Sequence, residues 1–458
     1  MPRPAFLLLA FLLCTSVAFS LFGAALGEFF ILDDFVWLQC AHDIVNHNTA
    51  HIFTRDINFF FRPVVHALFS LLYGLGGPNP ALFHGATLVL HGLAAALLSL
   101  FALELTSGSR WKGLLAGLLF VLLHPAYSET MVWVSAAAEP LVAIFALLAA
   151  LAWLRTLARP RPWRGPWLYL ALGAALLALG CKESAVVVWP LLVLLQLVLS
   201  RTGKLKTPPP LWVHLPFLLL LGAYLLMQFD VQQASPLVRS GMYRPRLEAV
   251  QLLLNCVARL VSVGGLSVAL ALAALLVTPR LGWRVRSVRR GQVFVATLGL
   301  LGAILVALLP YAWFRSEMVA SRYFYTATLI VSLAAPIILI PLVETSRIRV
   351  AAILGLLLAT TGLYSHRAGQ EELNRYSRVA TPVERFVKAA ARLELDGAHT
   401  LLINSPVRGL HLRGALYVFH PEHPEIVWGT HKNKVPASWK KKRAYRWDPV
   451  SGHFRRIQ

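Results

Sequence analysis

Acidic residues are scarce in this sequence: 21 Asp and Glu stand against 43 Lys and Arg in 458 residues. Charge of either sign is thin, at 14%, while 57% of residues are hydrophobic. That balance excludes an ordinary soluble enzyme and indicates a polytopic membrane protein. The formal net charge is +22. In such a protein a basic excess marks cytoplasmic loops, so nucleic acid does not follow as a partner. Cysteine is rare as well. Cys14, Cys40, Cys181 and Cys256 are scattered without paired spacing, which argues against a disulfide framework and a thiolate metal site. There is no Gly-rich phosphate loop, hence no sign of a soluble nucleotide site, and no internal repeat of solenoid length.

What is present is a series of apolar runs separated by charged or Pro/Gly breaks. The run Ala5 to Leu26 is too long for a signal-peptide core and reads as an uncleaved first helix, about 5–27. Further helices are expected at about 80–105, 113–130, 138–158, 166–180, 185–200, 210–228, 250–278, 292–312, 322–343 and 349–365. The fold class is therefore an all-α polytopic membrane protein of about 11 spans, plus a small C-terminal α/β soluble domain. Domains are expected at 1–365 and 366–458. Val64 to Leu75 is too short to cross and reads as an interfacial helix in the first long loop, 28–62 and onward. In the tail, Gln370 to Leu395 reads as an amphipathic helix, and Thr400–Pro406 and Ala415–Phe419 as short strands with turn signals. Lys440-Lys441-Lys442-Arg443 reads either as a contact for anionic groups or as a solvated tail.

Alternate loops carry the basic residues, for example Arg155, Arg159, Arg161 and Arg164, then Arg280 to Arg290. Those loops are expected inside, which places the protein in the inner membrane with a cytoplasmic N-terminus and an outer C-terminus. Eleven of the thirteen carboxylates before residue 366 then fall at the outer side; Glu104 and Glu344 are the other two. Acid–base chemistry is expected on that outer face.

Asp33-Asp34 follows the first apolar run at once. Adjacent carboxylates at a membrane surface are costly and point to function, although Asp34 also suits a helix cap. Four other motifs are expected to surround the pair: Phe60-Phe61-Arg62-Pro63, His124-Pro125 with Glu129 and Glu139, Lys182-Glu183, and Ser321-Arg322-Tyr323-Phe324-Tyr325. Each also has a plainer reading: Lys182-Glu183 as an ion pair, Arg322 as a snorkelling side chain. Together they suit one reaction. A carboxylate takes the proton of an acceptor hydroxyl as the hydroxyl attacks the anomeric carbon of a sugar on a polyprenyl phosphate, and cations hold the departing phosphate.

On Leu32-Asp33-Asp34, Phe61-Arg62-Pro63, Leu82-Phe83-His84 with Leu90-His91, His124-Pro125 with Glu129, Lys182-Glu183-Ser184 and Arg322-Tyr323-Phe324-Tyr325, residues 1–365 resemble the GT-C membrane glycosyltransferases. The likeness is greatest to the protein O-mannosyltransferase group and its tetratricopeptide-repeat relatives. Two positions depart from that pattern: Ala136-Ala137-Ala138 precedes Glu139 where an arginine is usual, and Ser321 stands where a glutamate is usual.

The resemblance implies a polyprenyl-phosphate-sugar-dependent glycosyltransferase that moves a hexose or pentose; it does not imply a protein acceptor, and the acceptor, whether glycan, lipid or protein, stays open. It implies Asp33 and Asp34 as catalytic residues, Asp33 as the base, with Asp34 orienting the loop or capping a helix at Phe35. Arg62, His84, Glu129, Lys182, Glu183, Arg322 and Tyr325 are the expected donor-phosphate and substrate residues. No cofactor is expected. His47 and His51 have the i, i+4 spacing of a possible metal site, but no third ligand is spaced with them and no metal is expected. The rival function is a transporter or flippase for a lipid-linked or anionic substrate, which should show mid-membrane polar groups and repeated halves.

Overall fold

The computed structural model describes residues 2–53, 60–159, 161, 163, 165–205, 208–233, 250–258, 260, 290–312, 319–339, 347–393, 400–407, 409–419, 427–430 and 443–457. Among them the helices are α1 (Arg3–Phe22), α2 (Asp34–Asn46), α3 (Pro63–Gly76), α4 (Pro80–Leu105), α5 (Arg110–Leu122), α6 (Glu129–Val132) and α7 (Ala138–Leu157). There follow α8 (Pro166–Leu179), α9 (Val188–Arg201), α10 (Leu215–Gln233), α11 (Arg290–Leu308), α12 (Tyr325–Val331), α13 (Arg347–Ala390) and α14 (Gly409–Phe419). Pro63 and Pro166 open α3 and α8, where a missing N–H and a fixed φ cost nothing.

The chain is a multi-pass membrane protein. Seven stretches of the described residues are long and apolar enough to cross a bilayer: Arg3–Gly27, Pro80–Leu105, Val134–Leu157, Glu183–Arg201, Leu211–Phe229, Phe294–Tyr311 and Ser321–Ile338. Eleven were expected. The third expected span, 113–130, is instead the 13-residue α5, because His124-Pro125 opens a separate 3-10 turn. Helix α8 is also short, at 14 residues. The expected helix 250–278 lies mostly outside the described residues, as do Asp56, Glu248 and Glu317. The expected last span is the first half of the 44-residue α13, which runs without a break into the predicted amphipathic helix.

The contacts divide the chain into two compact units. The first comprises Met1–Phe22, Thr87–Met131 and Ala136–Gln370. Helix α5 lies close on α4 because Gly113 and Gly117 have no side chains: a Cβ on either would come 2.7 Å from the carbonyl oxygen of Ser99 or Ala95. Glu104, at the end of α4, accepts Arg3 at 2.7 Å and Arg155 at 2.8 Å. Glu139 lies at the other end of α7 from Arg155, about 24 Å along the helix. The unit thus carries a charged cluster at each end of α7.

The second unit comprises Gly23–Ala86, Val132–Ser135 and Glu371–Gln458. It holds a four-stranded sheet in the order β2-β1-β3-β4, with β1 Thr400–Ile403, β2 Val427–Thr430, β3 Arg443–Asp448 and β4 His453–Arg456. β1 is parallel to both β2 and β3, and β3 is antiparallel to β4. Parallel neighbours need a crossover, and α14 supplies the one between β1 and β2. The strand expected over 415–419 is therefore wrong: those residues are the second half of α14. Five apolar residues in a row suit a buried strand and a buried helix turn equally. Leu401, Ile403 and Ala444 form the sheet's core, and Phe386, Trp447 and Phe454 pack ring against ring at 5.1–5.4 Å.

Candidate functional site

In the second unit, the acidic pair sits where the chain turns into α2. Leu32 has φ of +47°, a left-handed conformation that a non-glycine residue adopts at a cost of about 1 kcal/mol or more. That turn sends the two carboxylates in different directions. Asp34 is wholly buried. Its Oδ2 accepts the N–H of Ile31 at 3.0 Å, and its Oδ1 accepts the N–H of Ser135 at 2.7 Å and the Ser135 hydroxyl. Asp34 therefore ties the turn back on itself and onto Val132–Ser135. It is not the cap of a helix at Phe35: the helix begins at Asp34 itself, and the side-chain bonds run backward to Ile31 and across to Ser135. Burial pushes its carboxyl up to about 7, against the three accepted hydrogen bonds, which favour the ionised form.

Asp33 is different. Its side chain is 40% exposed, and its Oδ1 lies 2.9 Å from Nε2 of His411 on α14. A carboxylate only accepts, so Nε2 carries the proton and donates it to Asp33. Helix α14 reaches α2 closely because residue 414 is glycine; a Cβ there would stand 2.6 Å from the Phe35 carbonyl oxygen. Three residues later, the Tyr417 hydroxyl donates to Oδ1 of Asp43 at 2.5 Å. His411, Gly414 and Tyr417 thus fasten one side of α14 along α2.

Arg62 and His84 belong to the same unit. The Arg62 guanidinium lies 5.9 Å over the ring of Trp37, on α2, and 4.3 Å over that of Phe60. His84 is buried edge-to-face on Tyr376, with centroids 5.8 Å apart, and the Tyr376 hydroxyl donates to the Phe29 carbonyl at 3.1 Å. Glu28, one residue earlier, is held above the usual carboxylate range by burial.

Within the first unit, two of the expected cations come together. Lys182 is ion-paired to Glu139, whose side chain is 2% exposed. Arg322 pairs with Glu129 at 2.9 Å, and the Glu129 N–H donates to the Ser321 hydroxyl at 3.1 Å. Both cations lie over one ring, that of Tyr323, at 4.9 Å and 4.7 Å. Tyr311 stacks on Tyr323 at 4.6 Å. Glu183 opens the 3-10 turn after Lys182. Tyr325 is fully buried, its hydroxyl 2.8 Å from Nδ1 of His91. Tyr127 reaches the same histidine at 3.4 Å. His91 thus bonds to neighbouring elements.

Sequence reasoning missed His411, Ser135, Tyr323 and Tyr417. His411 is 378 positions from Asp33, in a stretch with no motif around it. Tyr323 lies between the expected site residues Arg322 and Tyr325, yet no spacing rule marks a ring that collects two cations.

No family model matches the chain. Among curated proteins it is similar to the protein O-mannosyl-transferase Tmtc2 of Drosophila melanogaster, 31% identical over 209 residues, or 42% of this chain and 22% of that one. Drosophila Tmtc1 is 31% identical over 202 residues, 42% of this chain and 23% of that one. Mouse TMTC2 is 24% identical over 159 residues, covering 32% and 19%. The match spans about a fifth of the length of these relatives. Among solved structures, ArnT from Cupriavidus metallidurans bound to undecaprenyl phosphate superposes with a TM-score of 0.53 at 12% identity, over 97% of this chain and 94% of that one. The chain therefore shares the fold of ArnT and is similar in sequence to the Tmtc protein O-mannosyl-transferases.

Proposed function

We propose that this protein is a membrane glycosyltransferase that moves a sugar from a polyprenyl phosphate to an acceptor hydroxyl at the outer membrane face, with Asp33 as general base. The observation that carries the reading is the division of labour in the acidic pair. Asp34 is buried and committed to three hydrogen bonds that shape the turn. Asp33 stays 40% exposed and is aimed by His411. A base oriented by a third group is the arrangement proton abstraction needs. The fold match to a structure that holds undecaprenyl phosphate, and the sequence similarity to named mannosyltransferases, support the donor class.

The step balances simply. Asp33 takes the hydroxyl proton, the acceptor oxygen bonds to the anomeric carbon, the bond from that carbon to the phosphate oxygen breaks, and the polyprenyl phosphate departs with the electron pair. Cations stabilise that charge most where they are held in advance of the reaction. Lys182 and Arg322, each tied to a carboxylate and both over Tyr323, have that rigidity. Those two cations keep the proposed donor-phosphate role, and Arg62, His84, Glu129, Glu183 and Tyr325 keep a proposed role in donor or substrate binding.

The test uses purified protein in lipid nanodiscs with radiolabelled mannosyl and pentosyl polyprenyl phosphates. Release of polyprenyl phosphate that depends on the protein and on Asp33 is the expected result. Movement of intact donor between leaflets without cleavage would show a flippase instead.

A further inference from the structure

The last turn of α2 carries a second group of ligand-type side chains, away from the acidic pair. His42, Asp43 and His47 each offer one ring nitrogen or carboxylate oxygen, and these three atoms lie within 4.8 Å of one another. The spacing in sequence hides this. Residues 42 and 47 point apart on a continuous helix, but α2 stops at Asn46, and the N–H groups of His47 and Asn48 both bond back to the Asp43 carbonyl, at 2.9 and 3.1 Å. That turn folds His47 over the end of the helix, with its ring edge-on to His42 at 5.7 Å.

Nδ1 of His42 is the telling atom. It is buried and has no hydrogen-bond partner among the described residues. The nearest carboxylate oxygen, Oδ1 of Asp43, is 3.7 Å away, too far for a hydrogen bond. A buried imidazole nitrogen left unsatisfied is destabilising, so an orphan of this kind asks for a ligand. The rings of Tyr73 and Tyr417 hold His42 edge-on at 5.8 and 5.0 Å. The Tyr417 hydroxyl meanwhile donates to Asp43. That is the kind of outer bond that fixes a metal-ligating carboxylate.

We propose that His42, Asp43 and His47 bind a divalent transition-metal cation of the zinc class. Two imidazoles and one carboxylate suit zinc and not magnesium or calcium, which prefer all-oxygen sets. Tetrahedral ligands stand about 3.3 Å apart, so the three atoms need close by at most about 1.5 Å, which the exposed His47 can supply by a rotamer change. The ion's place is structural. Asp43 is ten residues beyond Asp33, about 15 Å along α2, and its effect is to lock the helix end that receives Tyr417 of α14. Composition and the His47/His51 spacing gave no sign of it, because the partners of His47 are His42 and Asp43, with His51 in a separate 3-10 turn.

Full-length protein with a tag free of histidine, purified in detergent and stripped by a chelator, is titrated with Zn2+ against a chromogenic competitor. One tightly held ion per chain is expected, with a tetrahedral-type visible spectrum when Co2+ replaces it. His47→Ala, at an exposed position, should weaken binding at least tenfold without changing the elution profile. His42→Ala/His47→Ala should lose the ion, and His453→Ala, in β4, should keep it. Chelation should lower the Tm of the wild type and leave that of the double variant unmoved. Equal Zn2+ uptake by wild type and double variant, or no retained Zn2+ in either, or Mg2+ bound as well as Zn2+, overturns the proposal and leaves a His42–Asp43 ion pair only.

Discussion

Nε2 of His411 stands 2.9 Å from Oδ1 of Asp33, and the two residues are separated by almost the whole chain. The C-terminal α/β part thereby supplies the group that aims the proposed base. Replacing His411 with Ala is expected to lower the transfer rate roughly tenfold or more, in kcat rather than KM, because an unaimed base loses proton-transfer efficiency. His411→Gln, which keeps an N–H donor at similar reach, should recover part of the loss. A His411→Ala variant with wild-type kcat and wild-type Tm would detach the C-terminal part from the chemistry.

Asp34 should matter for stability first. In Asp34→Asn, one acceptor oxygen becomes an NH2 group facing the Ile31 N–H or the Ser135 N–H, leaving buried donors unsatisfied at a cost of about 1–3 kcal/mol. Ser135→Ala removes only the hydroxyl bond and should cost about 1 kcal/mol. Thermal unfolding in detergent checks both, and an Asp34→Asn protein as stable as wild type would mean that the turn is held by something else.

The same carboxyl predicts a pH dependence of definite sign. Its folded value is raised from 3.8 to about 7, so the folded state keeps the proton where the unfolded chain has lost it. This contribution to stability is complete below about pH 4 and is lost as pH rises toward 7. Asp34→Asn has no such proton, so the difference in Tm between wild type and variant should shrink steadily across that window. A difference that grows with pH would mean Asp34 is stabilised as the anion.

The spans and the motif residues were legible because a bilayer demands long apolar runs, and charges that interrupt them at helix ends stand out. Lys182, Arg322 and Glu129 were found on that basis, and the first unit does gather them around Tyr323. What one sequence could not show was pairing. Lys182 pairs with Glu139, 43 positions away at the start of α7, a partner that chain neighbourhood does not point to. The break after Leu122 is marked in the sequence by His124-Pro125, whereas the helix at Gly409–Phe419 was hidden by an apolar run too short to have a period.

Lys182 and Glu139 are predicted to behave as a coupled pair. Lys182→Met strands a carboxylate that is 2% exposed and should destabilise the protein by about 3–5 kcal/mol. Lys182→Met/Glu139→Gln should regain most of that stability yet show weakened donor use, seen as a raised KM for the polyprenyl-phosphate sugar. Full activity in the stable double variant would remove Lys182 from donor binding.

The most direct test of the central claim compares Asp33→Asn with Asp34→Asn in donor cleavage, each normalised to folded, membrane-inserted protein. The account predicts a loss of roughly 10²–10⁴-fold in Asp33→Asn, with unchanged Tm, and a much smaller loss per folded molecule in Asp34→Asn. Asp33→Asn activity within about tenfold of wild type, with Asp34→Asn folded and inactive, would contradict it and hand the base's role to the buried residue.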